Sequence, residues 1–313
     1  MISLERLEPI LSDLPLVSIL IPCYNAQQYI AEAIESSLAQ SYPAVEVVVV
    51  DDGSTDDSVA VVGSFGDRII WESGPNRGGC AARNRALELS RGEYINYLDA
   101  DDLIEADKIE KQVEYLNRGE ADMVLSKVGL LWPPPRPKAP EKKPHPQPEG
   151  DPFLYFFRYP IQTAAPLHRR ALLEAVGGFR VGLSRGQEYD LHLRLGVLQP
   201  RLVMVDEVLV WVRMHEGPRV SNRPVDPRET LEAWMAMANW IEEEGTLTDE
   251  RRGVLGKRLM TLSVAAYRQG HTKMADEGFE LARRMDAAVS LDESFPARWL
   301  RRSLGSARFE IGR

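Results

Sequence analysis

Residues 94–102 read YINYLDADD: a largely apolar run from Tyr94 to Leu98 that ends in three carboxylates, Asp99, Asp101 and Asp102, with only Ala100 between them. Gathering three like charges at the tip of a buried strand is costly, because they repel one another and lose water. A bound cation offsets both costs, so this strand end is the first candidate for a site.

Working outward, the same figure repeats. Val17 to Ile21 (VSILI) runs into Pro22 and Asn25, followed by Ile30, Ile34 and Leu38 at four-residue spacing. That pattern predicts a buried strand, a loop with a helix cap, and an amphipathic helix. Val45 to Val50 (VEVVVV) is β-branched and almost wholly apolar, as a parallel strand covered on both faces would be. It ends in Asp51, Asp52, Gly53 and Ser54, before a second helix near Asp57. Arg68 to Trp71 gives a third short strand and Gly79 to Ser90 a third helix. Strands and helices therefore alternate through the first part of the chain, which predicts an α/β fold with a mostly parallel, doubly wound sheet. Ligands on such sheets bind beyond the carboxyl ends of the strands. Residues 22–25, 51–54 and 99–102 all fall there.

Composition narrows the classes. The chain of 313 residues is 44% apolar and 27% charged, as a folded globular protein would be. Its longest apolar runs fall far short of the roughly 20 residues that a membrane-spanning helix needs. The start, MISLERLEPILSDLPL, carries Glu5, Glu8 and Asp13 and lacks the charged-then-apolar layout of a secretory signal, so a cytoplasmic location is expected. The two cysteines, Cys23 and Cys80, are far apart and without metal-site spacing, and read as reduced thiols. A net charge of -9 argues against a general nucleic-acid binder.

Residues 132–152, WPPPRPKAPEKKPHPQPEGDP, are dense in proline and almost devoid of apolar side chains, which predicts an extended, mobile loop. After it come a helix from about Arg169 to Val176, the turn Gly177-Gly178-Phe179, a helix starting near Glu188, and the strand LVMVDEVLVWV. From Pro227 onward helical stripes take over, such as Leu231, Trp234, Met235, Ala238 and Ile241. Two domains are expected, residues 1–225 and a helical extension over 226–313. Within the extension AAYRQGHTKMADEGFELARRM predicts a helical hairpin with a weak likeness to one tetratricopeptide unit.

Asp99 and Asp101 form a D-x-D pair whose side chains alternation would point the same way, toward one hard cation. Mg²⁺ or Mn²⁺ held by one or two carboxylates keeps open positions for substrate phosphates. On its own D-x-D is a weak signal. Taken with VSILIPCYNAQQYIAEAIESSLAQSYPAVEVVVVDDGSTDDS and NRGGCAARNRALELSRGEYINYLDADD, it resembles the family 2 glycosyltransferases of GT-A fold, closely and in order, from about Pro15 to Ser221.

That resemblance implies an inverting, metal-dependent glycosyltransferase using a nucleotide-diphosphate sugar, a UDP-sugar by family frequency, with a carbohydrate or lipid-linked acceptor in polysaccharide or glycolipid assembly. Pro22, Tyr24 and Asn25 match the first donor loop, with the tyrosine ring against the nucleobase. Asp52 matches the acceptor of a hydrogen bond from the base ring, and Asp51 the brace of that loop. Gly78 and Gly79 permit close backbone approach while Arg83 reaches the diphosphate, with Arg77 as the alternative. Asp101 is expected to bind the metal directly, and Asp99 to act through water or the donor's ribose and sugar. His215, in VRMHEGPRVS, matches a histidine that meets the metal or diphosphate.

GGFRVGLSRGQEYDLHLRL (residues 177–195) resembles the segment carrying the catalytic base, where an acidic pair precedes an aromatic residue and an acid. Here the pair reads Gln187-Glu188, followed by Tyr189-Asp190. Glu188 takes the base's position, Gln187 replaces the customary acid, and Asp190 is the fallback. Loss of the neighbouring acid removes a like charge, so repulsion from residue 187 would not raise the pKa of Glu188. His168 and His192 receive no role. The departure at Gln187 admits a second class of function, a catalytically silent nucleotide-sugar binding protein acting through its helical part. Lastly, FPARWLRRSLGSARFEIGR gathers Arg298, Arg301, Arg302, Arg308 and Arg313 around Trp299, Leu300 and Leu304. Such a helix either packs on its domain or makes peripheral contact with an anionic membrane surface.

Overall fold

The computed structural model describes residues 14–132, 139–140, 145–215 and 226–285. The chain divides into two compact units, Met1–Ser221 and Asn222–Arg313. The divide falls within 216–225, outside the described residues, as do the arginine-rich residues 286–313.

In the first unit the elements run β1 (Val17–Cys23), α1 (Ile30–Leu38), β2 (Val45–Asp51), α2 (Ser58–Gly63), β3 (Ile70–Ser73), α3 (Gly79–Leu89), β4 (Tyr94–Tyr97), β5 (Leu103–Ile104) and α4 (Lys108–Asn117). They continue with β6 (Met123–Leu131), β7 (Ala139–Pro140), α5 (Pro152–Arg158), β8 (Leu167–Arg169), α6 (Arg170–Ala175), α7 (Gln187–Val197) and β9 (Leu202–Arg213). One sheet orders them β3-β2-β1-β4-β8-β6-β9-β5, with β7 on β6. From β3 to β4 every pairing is parallel, as the alternation predicts. Beyond β4 the sheet is mixed: β8 is antiparallel to both β4 and β6, while β6 and β9 run parallel.

The parallel part buries both faces. Val17, Ile19, Leu20 and Ile21 of β1 and Val48 and Val49 of β2 have no exposed surface, which explains their near-continuous apolar sequence. Helix α1 seats Ile30, Ala33 and Ile34 on the sheet. Each buried valine, leucine or isoleucine contributes about 1.5–3 kcal/mol by leaving water.

Part of the proline-rich stretch departs from the expected loose loop. Leu130 pairs with Ala139 in an antiparallel bridge, and Gln147 Nε2 donates to the Met204 carbonyl at 3.0 Å. Asp151 then caps α5 by accepting from Phe153 and Leu154 N–H, with Pro152 in the first turn where no N–H is needed. Proline removes donors, but a sheet edge uses only every other one, so the segment docks where its remaining groups suffice.

The second unit is helical: α8 (Pro227–Glu243), α9 (Asp249–Arg268) and α10 (Thr272–Met285). Asp226 caps α8 by accepting from Arg228 N–H at 2.8 Å. The expected hairpin is α9 and α10, turned at Gly270, whose φ of +90° suits only glycine. Gly278 lies so close to Ser263 that an added Cβ would sit 2.3 Å from its Oγ. Among the described residues no helix is long and apolar enough to cross a membrane.

Candidate active site

The loops after β1 and β2 are laced together at their tips. Asn25 has φ +49° and accepts from Thr55 N–H through Oδ1 at 2.8 Å, while its own N–H donates to Ser54 Oγ at 2.9 Å. Asparagine tolerates this left-handed backbone better than most residues. Next to it Tyr24 projects with half of its surface exposed at a carboxyl strand end. Pro22 is the penultimate residue of β1, paired with Val50.

Both acids of the second loop are held by the backbone. Asp51 accepts from Gly53 and Ser54 N–H at 3.2 Å and from Ser73 Oγ at 2.8 Å. Asp52 accepts from Arg77 N–H at 2.7 Å and Gly78 N–H at 2.9 Å, one on each carboxylate oxygen. A hydrogen bond from a nucleobase to Asp52 would therefore use the remaining lone pairs of the same oxygens. Gly53 makes this closure feasible: a Cβ there would lie 2.6 Å from Asn76 N.

The D-x-D turn is held differently, by side chains from distant parts of the chain. Asp99 Oδ1 accepts from Arg83 Nη2 at 2.6 Å, and Asp101 Oδ2 lies 3.0 Å from His215 Nε2. Asp102 is buried and structural, accepting from Gln162 Nε2 at 2.9 Å and from Arg213 N–H at 3.0 Å. Arg213 also donates through Nε to the Asp101 carbonyl, pairs with Glu32 at 2.8 Å and lies 5.1 Å from the Tyr29 ring centroid. The Tyr29 ring in turn packs 5.1 Å from His215. Tyr29, Glu32 and Arg213 thus fasten the end of β9 to the turn, and sequence reading missed all three. An arginine two residues before the histidine was the only local hint.

Arg83, expected to reach the diphosphate, already has partners in the site. Besides Asp99 it donates through Nη1 to Gln187 Oε1 at 2.9 Å, and its guanidinium lies 5.2 Å from the Phe179 ring centroid. Its alternative, Arg77, is exposed, with its backbone N–H on Asp52. The adjacent Asn84 grips the Gly178-Phe179 turn with two hydrogen bonds of 2.8 Å, to Phe179 O and from Phe179 N–H. Helix α3 therefore carries one residue for the turn and one for the acids.

Glu188 lies in the first turn of α7. Burial pushes its carboxyl above the usual value of 4.5, with the charge of Asp99 adding to the rise. A backbone N–H and the guanidinium groups of Arg83 and Arg185 oppose it. The upward shift comes from burial and from Asp99, not from residue 187. Asp190, the fallback, is committed elsewhere: it accepts from Arg194 Nε at 2.9 Å and lies 3.6 Å from Arg180 Nε. His168 and His192 are buried, with ring centroids 6.0 Å apart, and burial lowers both pKa values, that of His168 to about 4. Cys23 and Cys80 are buried free thiols, pushed up to about 12 and about 11 mainly by burial, and hence unreactive at neutral pH.

Asp101 and His215 are the expected metal ligands that the fold brings together, while one oxygen of Asp99 is taken by Arg83. Carboxylate oxygen and imidazole nitrogen are donors that Mn²⁺ accepts. Among the described residues no group of three or more His, Cys, Asp or Glu is placed to hold a metal. Two protein ligands fit a cation completed by phosphate oxygens and water, and do not fit a closed structural site.

The family model described as glycosyl transferase family 2 matches residues 18–160. An uncharacterised glycosyltransferase of Rickettsia typhi is 31% identical over 239 residues, covering 70% of this chain and 70% of that protein. A putative teichuronic acid biosynthesis glycosyltransferase of Bacillus subtilis is 42% identical over 106 residues, 33% of this chain and 42% of that protein. The match likewise spans only 43% of the length of an uncharacterised Haemophilus influenzae glycosyltransferase. Among solved structures, Staphylococcus aureus TarS residues 1–349 in complex with UDP-GlcNAc superimposes with a TM-score of 0.69 at 22% identity, over 87% of this chain and 83% of that one. A mannosyltransferase of Pyrobaculum calidifontis in complex with GDP-Man and Mn²⁺ gives 0.56 at 19% identity, over 93% and 79%. At these identities the structures establish the fold, which is the GT-A type expected from the sequence.

Proposed function

Because this chain belongs to glycosyl transferase family 2, we propose that it transfers a glycosyl unit, with inversion, from a nucleotide-diphosphate sugar to an acceptor hydroxyl, with Glu188 as general base. The observation that carries this reading is the setting of Glu188. It is a carboxyl raised above its usual value by burial, on the first turn of α7, within the fields of Asp99 and Arg83. A base works best with a pKa near the operating pH.

Glu188 takes the proton of the acceptor hydroxyl, the oxygen attacks the anomeric carbon, and the bond from that carbon to the diphosphate oxygen breaks. The nucleoside diphosphate leaves with the bonding electrons. Tyr24 offers an aromatic face for the base, and the Asn25–Thr55 lacing keeps that loop in place. Asp101 and His215 would hold a divalent cation, Mn²⁺ or Mg²⁺, which supplies charge neutralisation for the leaving diphosphate. A UDP-sugar donor is supported by the UDP-GlcNAc complex of TarS, and a metal by the Mn²⁺ complex of the mannosyltransferase. The teichuronic acid relative supports a place in polysaccharide assembly.

Glu188→Gln tests the assignment. UDP release from UDP-glucose or UDP-GlcNAc with Mn²⁺ is expected to fall by about 100- to 10,000-fold with nucleotide binding unchanged. Full turnover in the variant would contradict the role of Glu188. Donor binding by the parent protein without turnover on any acceptor would favour the silent binding protein instead.

A further inference from the structure

The residue that departs from the family pattern, Gln187, is built into the site. Its Oε1 accepts from Arg83 Nη1 at 2.9 Å, and its Nε2 donates to the Leu183 carbonyl at 2.7 Å. The orientation of the amide follows from chemistry, since an arginine offers only donors and a carbonyl only an acceptor. Exactness of type matters here: a carboxylate could accept from Arg83 but could not donate to Leu183. Gly79, at the start of α3, gives the bridge its room, because a Cβ there would lie 3.0 Å from Arg83 Nη1 and 3.5 Å from Gln187 Oε1.

Three elements meet through this amide. Arg83 comes from α3, Asp99 from the turn after β4, and Gln187 opens α7 immediately before Glu188. The cap position before it, Gly186, has φ +64° and no side chain to fix the helix start. The first turn of α7 is thus anchored by the side chain of Gln187 rather than by an ordinary cap.

We propose that Gln187 is a positioning residue: its amide ties the loop at Leu183 to Arg83, which keeps Arg83 on Asp99 and sets the helical turn from which Glu188 projects. The catalytic half of this inference rests on the reading of Glu188 as the base; the structural half does not. Gln187 is accordingly a replacement with its own function, and the missing acid is no sign of a decayed site.

Two variants of the full chain separate the parts. Gln187→Leu removes both hydrogen bonds at similar size, and Gln187→Glu keeps the bond from Arg83 while losing the one to Leu183. Hydrogen exchange over residues 183–188 is expected to speed up at least about tenfold in both, because the loop tie is common to them. UDP release from UDP-glucose with Mn²⁺ is expected to lose about ten- to a hundredfold in kcat in Gln187→Leu, with donor KM within about twofold. A smaller loss is expected in Gln187→Glu, where Arg83 keeps its partner. Unchanged exchange in Gln187→Leu would overturn the proposal, and so would unchanged kcat where Glu188→Gln is inactive. If Glu188→Gln turns over normally, the base assignment fails, and the exchange data alone decide whether Gln187 holds the loop.

Discussion

Two acidic strand ends flank β1 in this sheet, and they are held in opposite ways. At the end of β2, Asp51 and Asp52 are buried and their oxygens accept mostly backbone N–H groups of residues 53, 54, 77 and 78. At the end of β4, Asp99 and Asp101 are partly exposed and meet side chains, Arg83 and His215. Backbone donors have fixed places in the chain, so the first pair shapes a loop and cannot readily release it. Side-chain partners can rotate away, so the second pair can exchange them for a ligand. The proposed function accordingly places the chemistry at the β4 end, with the β2 acids shaping the loop beside it.

Asp51→Ala probes the scaffold end and should have the largest effect on folding. It strips buried acceptors from two backbone N–H groups and Ser73, at about 1–3 kcal/mol for each donor left unsatisfied. A loss of about 3 kcal/mol in urea unfolding is expected, and a loss below about 0.5 kcal/mol would break the comparison. Asp101→Ala should cost about 1 kcal/mol or less, since it removes one partly exposed pair. The same urea titration checks it.

The pH dependence should be smaller and opposite for activity and stability. As the proposed base Glu188 must be ionised, and its carboxyl is raised, so the acidic limb of kcat/KM should lie above 4.5. For stability the sign reverses. A group raised in the folded state contributes stability that is full below its unfolded pKa and is lost as pH rises through the folded value. Glu188→Gln should therefore leave Tm equal or slightly higher at pH 7–8, by about 1–3 °C. A clear drop in Tm there would show that the ionised carboxylate stabilises the fold.

The strand ends were legible in the sequence because their signals are local: a β-branched run stops and acids, glycine and serine follow. The GT-A type of fold was legible through the resemblance of the ordered motifs to family 2 glycosyltransferases. The partnerships were not. Arg83 meets Gln187 across 104 residues, and His215 meets Asp101 across 114, and nothing in either neighbourhood encodes the other. Helix α4 was missed although Ile109, Val113 and Leu116 form an apolar stripe, and the burial of Lys108 and Gln112 beside that stripe is not a pattern that sequence periodicity displays. Lys108 Nζ donates to Gln112 Oε1 at 2.6 Å, and burial lowers its pKa to about 7. Strand β8, three residues long, is too short for any periodicity to register.

The most direct test of the division between the two ends is thermal stabilisation by UDP, GDP, dTDP and CMP, each with and without Mn²⁺, in the parent protein and Asp101→Ala. The expected result is stabilisation by one nucleotide, UDP on the present reading, that requires Mn²⁺ and disappears in Asp101→Ala. Failure of every nucleotide to stabilise the parent, or equal metal-dependent stabilisation of the variant, would contradict the assignment of the β4 end as the chemical site.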